Sequence, residues 1–329
     1  MYHEWAAAAE SAITTRHLRR VWGLPGTVLG RSGWPPSPDQ RVHWHWNYWW
    51  QAHLLDCLID AQLRAPSAAR GATVDRFISS VRLRNFGRWT NDYYDDMAWL
   101  GLAMQRAGRD IEPLLAELRS AWTPEGGGGI WWRHNDRFKN TPSNGPAAIL
   151  HARAGETERA RELFEWMDST LVDPETGLVW DGLQVDSGEL VKHIYTYCQG
   201  VFLGAALELS EVDAAARTVR AVGVHCARDG VLVGQGDGDG GLFAGILARY
   251  LALAANRLPP GAEADTAREL VLSSARACWE GAHEAPGGPL FSAEWSRWSP
   301  ATDLSVQVGA WLLLEAAATL TSNHTNGGA

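Results

Sequence analysis

Clusters of polar and aromatic residues open every second helical segment of this chain, and that alternation limits the possible fold more than any other feature. Apolar residues recur at helical spacing in about twelve segments, and strand signals are nearly absent. The segments span 2–20, 45–65, 68–84, 92–107, 110–121, 143–154, 156–170, 195–210, 212–227, 241–256, 263–281 and 303–321. Pro or Gly punctuates several of them, as at Pro142, Gly155, Gly240 and Pro300. The second segment opens on His43 to Trp50, the fourth on Asn91 to Asp96, and the sixth on Lys139 to Pro146. The eighth opens on Tyr195 to Gly200, the tenth on Gly236 to Gly241, and the twelfth on Trp295 to Gln307.

Starts that share such residues are expected to meet in space. Six helical hairpins closed in a ring achieve this, with the even helices inside and their N-termini around one mouth. The expected fold is therefore all-α, an (α/α)6 barrel forming a single domain over 1–322, with 323–329 as a flexible polar tail. A plain multi-helix bundle does not predict the alternation. The small-residue runs Gly200, Gly204, Ala205, Ala206 and Gly241, Ala244, Gly245, Ala248 suit a closely packed inner ring.

Hydrophobic residues make up 46% of the 329 positions, enough for a large core, and 18 are Trp. Trp22, Trp34 and Trp46 precede Gly, Pro and Asn rather than sitting in apolar runs, which points to a lined cleft. Net charge is -9 with no basic stripe, so neither nucleic acid nor an anionic membrane is an expected partner. No apolar run approaches membrane-spanning length. The N-terminus lacks a basic stretch followed by an apolar one, so a cytoplasmic location is expected. Cys57, Cys198, Cys226 and Cys278 are widely spaced, without metal-ligand spacing, and read as free thiols, most of them in apolar helical patterns.

The chemistry concentrates at Asp95 and Asp96, set between Tyr94 and Trp99 at a helix start. Acidic residues in first turns commonly just complement the helix dipole. A paired set among aromatics does more: sugars stack on aromatic faces, and glycosidic cleavage needs two carboxyl groups flanking the scissile bond. Side chains at such a start can hold carboxyls about 5–7 Å apart, which leaves retention and inversion both open. The dipole favours one ionised carboxylate, whose charge raises the pKa of its neighbour.

Trp46 and Tyr48 are candidate stacking residues, as is Trp132 after the Gly126–Gly129 loop. Asn140 and Asn144 can cap their helix or bind sugar hydroxyls. Gly236 to Gly241 formally contains G-x-G-x-x-G, but it lacks a βαβ setting, and it fails as a calcium loop because Ala248 stands at the twelfth position. No metal or organic cofactor is expected.

Several motifs occur in register: Tyr94-Asp95-Asp96-Met97-Ala98-Trp99, Gly127-Gly128-Gly129-Ile130-Trp131-Trp132, Lys139-Asn140-Thr141 with Asn144-Gly145-Pro146, and Tyr195-Thr196-Tyr197 followed by Gln199-Gly200. Val179-Trp180-Asp181-Gly182, Gly240-Gly241-Leu242-Phe243 and Gln307 with Trp311 extend the series. Together they resemble glycoside hydrolase family 76, the endo-α-1,6-mannanases, from about Trp44 to Glu315. The resemblance implies an (α/α)6 barrel and retaining hydrolysis of α-1,6-linked mannan, with Asp95 as nucleophile and Asp96 as general acid/base. It implies a partner that is an α-mannan-type oligo- or polysaccharide; because polymeric mannan lies outside the cell and no signal peptide is read, a mannosyl glycolipid core is a further expected partner. The expected sugar-binding set is Trp46, Tyr48, Tyr94, Trp132, Asn140, Asn144, Asp181, Tyr197, Gln199 and Asp237. Cys198 and Ala244 depart from the family, which commonly has Asn and often Lys there.

Two other readings compete. A non-catalytic carbohydrate-binding protein would keep the aromatic cleft but not need the intact Asp pair. A Mg-dependent isoprenoid synthase would need D-D-x-x-D, and Trp99 stands at the fifth position.

Overall fold

In the computed structural model, residues 1–299 and 301–322 are described; Pro300 and the expected tail 323–329 lie outside them. The twelve long helices are α1 (Tyr2–His17), α2 (Tyr48–Arg64), α3 (Ala68–Arg84), α4 (Tyr94–Arg106), α5 (Glu112–Ser120) and α6 (Thr141–Arg153), followed by α7 (Thr157–Leu171), α8 (Thr196–Glu208), α9 (Val212–His225), α10 (Gly240–Arg257), α11 (Ala262–Glu280) and α12 (Leu304–Ser322). The even helices pack in the cyclic order α2, α4, α6, α8, α10, α12 and back to α2. Each odd helix lies outside a neighbour: α1 on α12, α3 on α2, α5 on α4, α7 on α6, α9 on α8, α11 on α10. This is the (α/α)6 barrel.

Local chemistry explains where helix boundaries differ from expectation. Asn47 has φ +49°, outside the right-handed helical region, so α2 starts at Tyr48 rather than near 45. The side chain of Asn140 caps Ser143 N–H, and Pro142 in the first turn needs no acceptor, so α6 starts at Thr141 rather than 143. Strands do occur, at two or three residues each, too short to show an alternating pattern. Three of them, β1 (Phe138–Asn140), β2 (Gly182–Gln184) and β3 (Glu189–Val191), form an antiparallel sheet leading into α6 and α8.

The inner ring is tight where the small-residue runs fall. A Cβ on Gly245 would stand 2.3 Å from the Gly309 carbonyl, so only glycine lets α10 and α12 approach this closely. By length and composition Leu304–Thr321 could cross a membrane, contrary to the sequence reading, yet it forms the buried inner wall α12.

A repeated clamp holds connecting segments to the ring. The fourth residue of α2, α6, α8 and α12 is a buried carboxamide: Gln51, Asn144, Gln199 and Gln307. Each accepts from one backbone N–H and donates to the carbonyl of the same residue, namely Gly30, Ile130, Val179 and Phe291. Such buried amides are fully satisfied, which fixes the segments without leaving orphan polar groups. α4 and α10 carry Met97 and Phe243 at that position instead.

Candidate active site

The N-termini of α2, α4, α6, α8 and α10 surround a cavity of about 770 Å³, whereas the start of α12, expected at the same mouth, contributes no lining residue among those described. Asp95 and Asp96 lie in its floor, in the first turn of α4. The helix has no side-chain cap, and Asn91 takes over part of that task. Its Oδ1 accepts from Tyr93 N–H at 3.0 Å, while its Nδ2 donates to Asp96 Oδ2 at 2.5 Å. Asp95 accepts twice: Oδ1 from Asp96 N–H at 2.8 Å and Oδ2 from Trp132 Nε1–H at 3.0 Å.

These contacts separate two chemically identical side chains. Burial raises the Asp95 pKa to about 6, although its hydrogen bonds pull the other way, so Asp95 is mostly ionised at neutral pH. The helix start alone would have kept this group lower; burial outweighs it. Asp96 is raised well above the usual carboxylate range, first by burial and then by the Asp95 charge. One carboxylate poised to attack beside one that keeps its proton is the division that acid-assisted substitution requires.

The walls are aromatic. Tyr197 stacks on Phe243 at 4.1 Å between ring centroids, with Trp49 and Tyr195 against the same cluster. Asp239 accepts from the indoles of Trp49 and Trp50 at 3.0 and 2.8 Å, fixing the Trp49 face toward the cavity. Asp181, at the edge of the small sheet, is raised to about 6 by burial, partly offset by His193.

Of the expected sugar-binding residues, Tyr48, Trp132, Asn140, Asp181 and Tyr197 line this cavity. The others do not. Trp46 packs edge-on against Tyr48 at 5.5 Å, and the Arg84 guanidinium lies over its ring at 5.2 Å. Tyr94 is buried behind the pair against His134. Asn144 and Gln199 are consumed by the clamps described above. Asp237 is exposed in the turn before α10, where Asp239 reaches the cavity in its place. Asn47, Trp49, Tyr93, Gln235 and Phe243 also line it and lie outside the expected sugar-binding set. Cys198 and Ala244 are buried and do not line it.

Lys139, a buried cation between two residues that line the cavity, is also committed. Its Nζ donates to the carbonyls of Thr123, Glu125 and Gly128 and to the Thr123 hydroxyl, pinning the glycine loop that presents Trp132. It is not disposed to hold a diphosphate.

A helical toroid with an aromatic-walled mouth and two unequal carboxyls defines the carbohydrate-cleaving class of (α/α)6 enzymes. Comparison with known proteins narrows this to one family. The family model described as glycosyl hydrolase family 76 matches residues 5–326, and the chain belongs to that family. The GH76A alpha-1,6-mannanase from Salegentibacter sp. HEL1_6 is similar over 97% of this chain and 100% of its own, at 30% identity and TM-score 0.87. The Lin0763 protein from Listeria innocua matches over 99% of both chains at 28% identity and TM-score 0.87. A family 76 mannosidase from Bacteroides thetaiotaomicron shares the fold at 17% identity and TM-score 0.78, covering 99% and 100%. No curated protein matches the chain.

Proposed function

We propose that the enzyme hydrolyses α-1,6-linked mannan or manno-oligosaccharides with retention of configuration. The unequal proton affinities of Asp95 and Asp96 in one aromatic cleft carry this reading. The Salegentibacter enzyme supports it, since an inactive variant with two adjacent aspartates replaced is known in complex with alpha-1,6-mannotriose. Asp95-Asp96 is the one Asp-Asp dipeptide in this chain.

In the first step an Asp95 oxygen attacks the anomeric carbon, forming a mannosyl ester. The Asp96 proton passes to the glycosidic oxygen, and the 6-hydroxyl of the leaving sugar departs. Water then attacks the same carbon, giving its proton to Asp96 as the ester bond breaks, which restores both carboxyls and the α configuration. Trp132 and the Asp96 N–H hold Asp95 in place, and the Tyr197–Phe243 wall offers a face for the sugar rings.

The test is the anomer formed. Wild-type enzyme should release α-configured product first from an α-1,6-mannoside, by NMR. On an activated aryl mannoside with azide, Asp96→Ala should give α-mannosyl azide and Asp95→Ala the β anomer. The opposite assignment would swap the two roles, and β product from the wild type would end the retaining mechanism.

A further inference from the structure

We propose that the rim beside α2 and α3 is a docking surface for an anionic lipid bilayer. The fold gathers there charges that the sequence scatters. Residues 11–49 and 76–90 hold nine arginines, of which Arg16 and Arg84 are buried, and one carboxylate, Asp39, in a chain of net charge -9. The two segments meet at Arg84. Its guanidinium lies 5.8 Å from the Trp22 ring centroid and 5.9 Å from that of Phe86. It also donates to the carbonyls of His43 at 2.7 Å and Trp44 at 3.0 Å.

The cations here are uncompensated. Arg19, Arg31, Arg41, Arg82 and Arg84 donate to backbone carbonyls and, among the described residues, to no carboxylate. Asp39 faces the His45 ring at 3.5 Å. Around them stand six of the ten large hydrophobic side chains exposed among the described residues: Trp22, Leu24, Val42, Trp44, Leu83 and Phe86. Trp44 is 71% and Phe86 80% exposed, and apolar side chains clustered at one rim, unlike ones scattered singly, mark an interaction surface. Trp22 and Phe86 are held at φ +50° and +54°, so ordinary side chains are kept in a disfavoured backbone conformation at this rim.

The composition selects the occupant. Sugar hydroxyls call for carboxylates and carboxamides, but the Asn85 amide is spent on the carbonyls of Arg88 and Thr90, and Gln40 on the Ser37 capping box. Guanidinium groups suit lipid phosphates, indoles settle at headgroup depth, and Leu, Val and Phe enter the acyl boundary. The patch adjoins the mouth through Trp46 and Tyr48, so docking would set the cavity beside the headgroups. If the proposed function holds, a mannosyl chain tethered to a lipid is the substrate this placement serves.

Vesicle sedimentation tests the surface without reading activity. The full chain should bind vesicles of phosphatidylcholine with phosphatidylglycerol, and not phosphatidylcholine alone. Brominated acyl chains should quench its tryptophan fluorescence. Arg41→Glu with Arg82→Glu, and separately Trp44→Ser with Phe86→Ser, should each weaken binding by about tenfold or more. Their hydrolysis of soluble α-1,6-mannotriose should be unchanged, which also shows that they fold. Failure of the wild type to bind anionic vesicles, or wild-type binding by either double variant, would overturn the proposal. So would a wild-type dimer that Trp44→Ser with Phe86→Ser dissociates, or a raised KM for long soluble mannan with vesicle binding intact.

Discussion

The two ends of the barrel each hold a pair of aspartates on an inner helix, and they are treated in opposite ways. At the closed end Asp56 and Asp60 lie one turn apart on α2, and Arg106 of α4 and Arg249 of α10 each bridge both. Burial alone would raise Asp56, but the two guanidiniums outweigh it and hold the group at about 2. At the mouth, Asp95 and Asp96 receive hydrogen bonds from Asn91, Trp132 and a backbone N–H but no guanidinium, and both are raised. Depth in the fold does not decide the charge state of a carboxyl; the counter-ion does. The closed end uses its carboxylates to tie inner helices together, whereas the mouth leaves its pair electrostatically strained and thereby reactive.

The comparison breaks first at Arg249. Arg249→Met leaves two buried carboxylates facing Arg106 alone and should lower stability by about 3 kcal/mol, read from the urea midpoint. Because folding depresses the Asp56 pKa, its contribution is present above pH ~4 and lost as pH falls through about 2. A smaller shift of the opposite sign is expected for Asp96→Asn. The folded state binds the Asp96 proton more tightly than the unfolded chain does, so ionisation of this group opposes folding as pH rises. The variant should be about 1 kcal/mol more stable at pH 7, with the gain vanishing below pH ~4, by denaturant titration at several pH values. An unchanged or lowered stability at pH 7 would mean the mouth stores no such strain. Smallest is Trp132→Phe, which removes a donor to ionised Asp95. The acid limb of kcat/KM, expected at about 6, should move up by about half a unit in a pH–rate profile.

The ring order was legible because chemistry-bearing residues punctuate alternate helices, and Asp95-Asp96 stood out because nothing structural demands two carboxyls there. The amides misled for a definite reason. Asn144 and Gln199 sit at helix starts beside aromatic motifs, as ligand-binding amides do, but their side chains are fully buried on backbone. Gln51 and Gln307 hold the equivalent places, so aligning the helix starts against each other would have exposed the clamp. Trp46 and Trp49 were indistinguishable in a run of aromatics. The positive φ at Asn47 decides which of them faces the cavity, and sequence periodicity does not contain it. Asp239 rather than Asp237 reaches the mouth because the glycine-rich turn places only the residue next to α10 within reach of the two indoles.

Trp99 borders both the mouth cavity and the smaller space of about 300 Å³ at the closed end. The His53 ring packs 4.5 Å from it, and burial depresses that imidazole to about 3, so it stays neutral. Between them they make the barrel axis a cul-de-sac. A glycan cannot be threaded through and reeled along, so arriving substrate and departing fragments share one doorway.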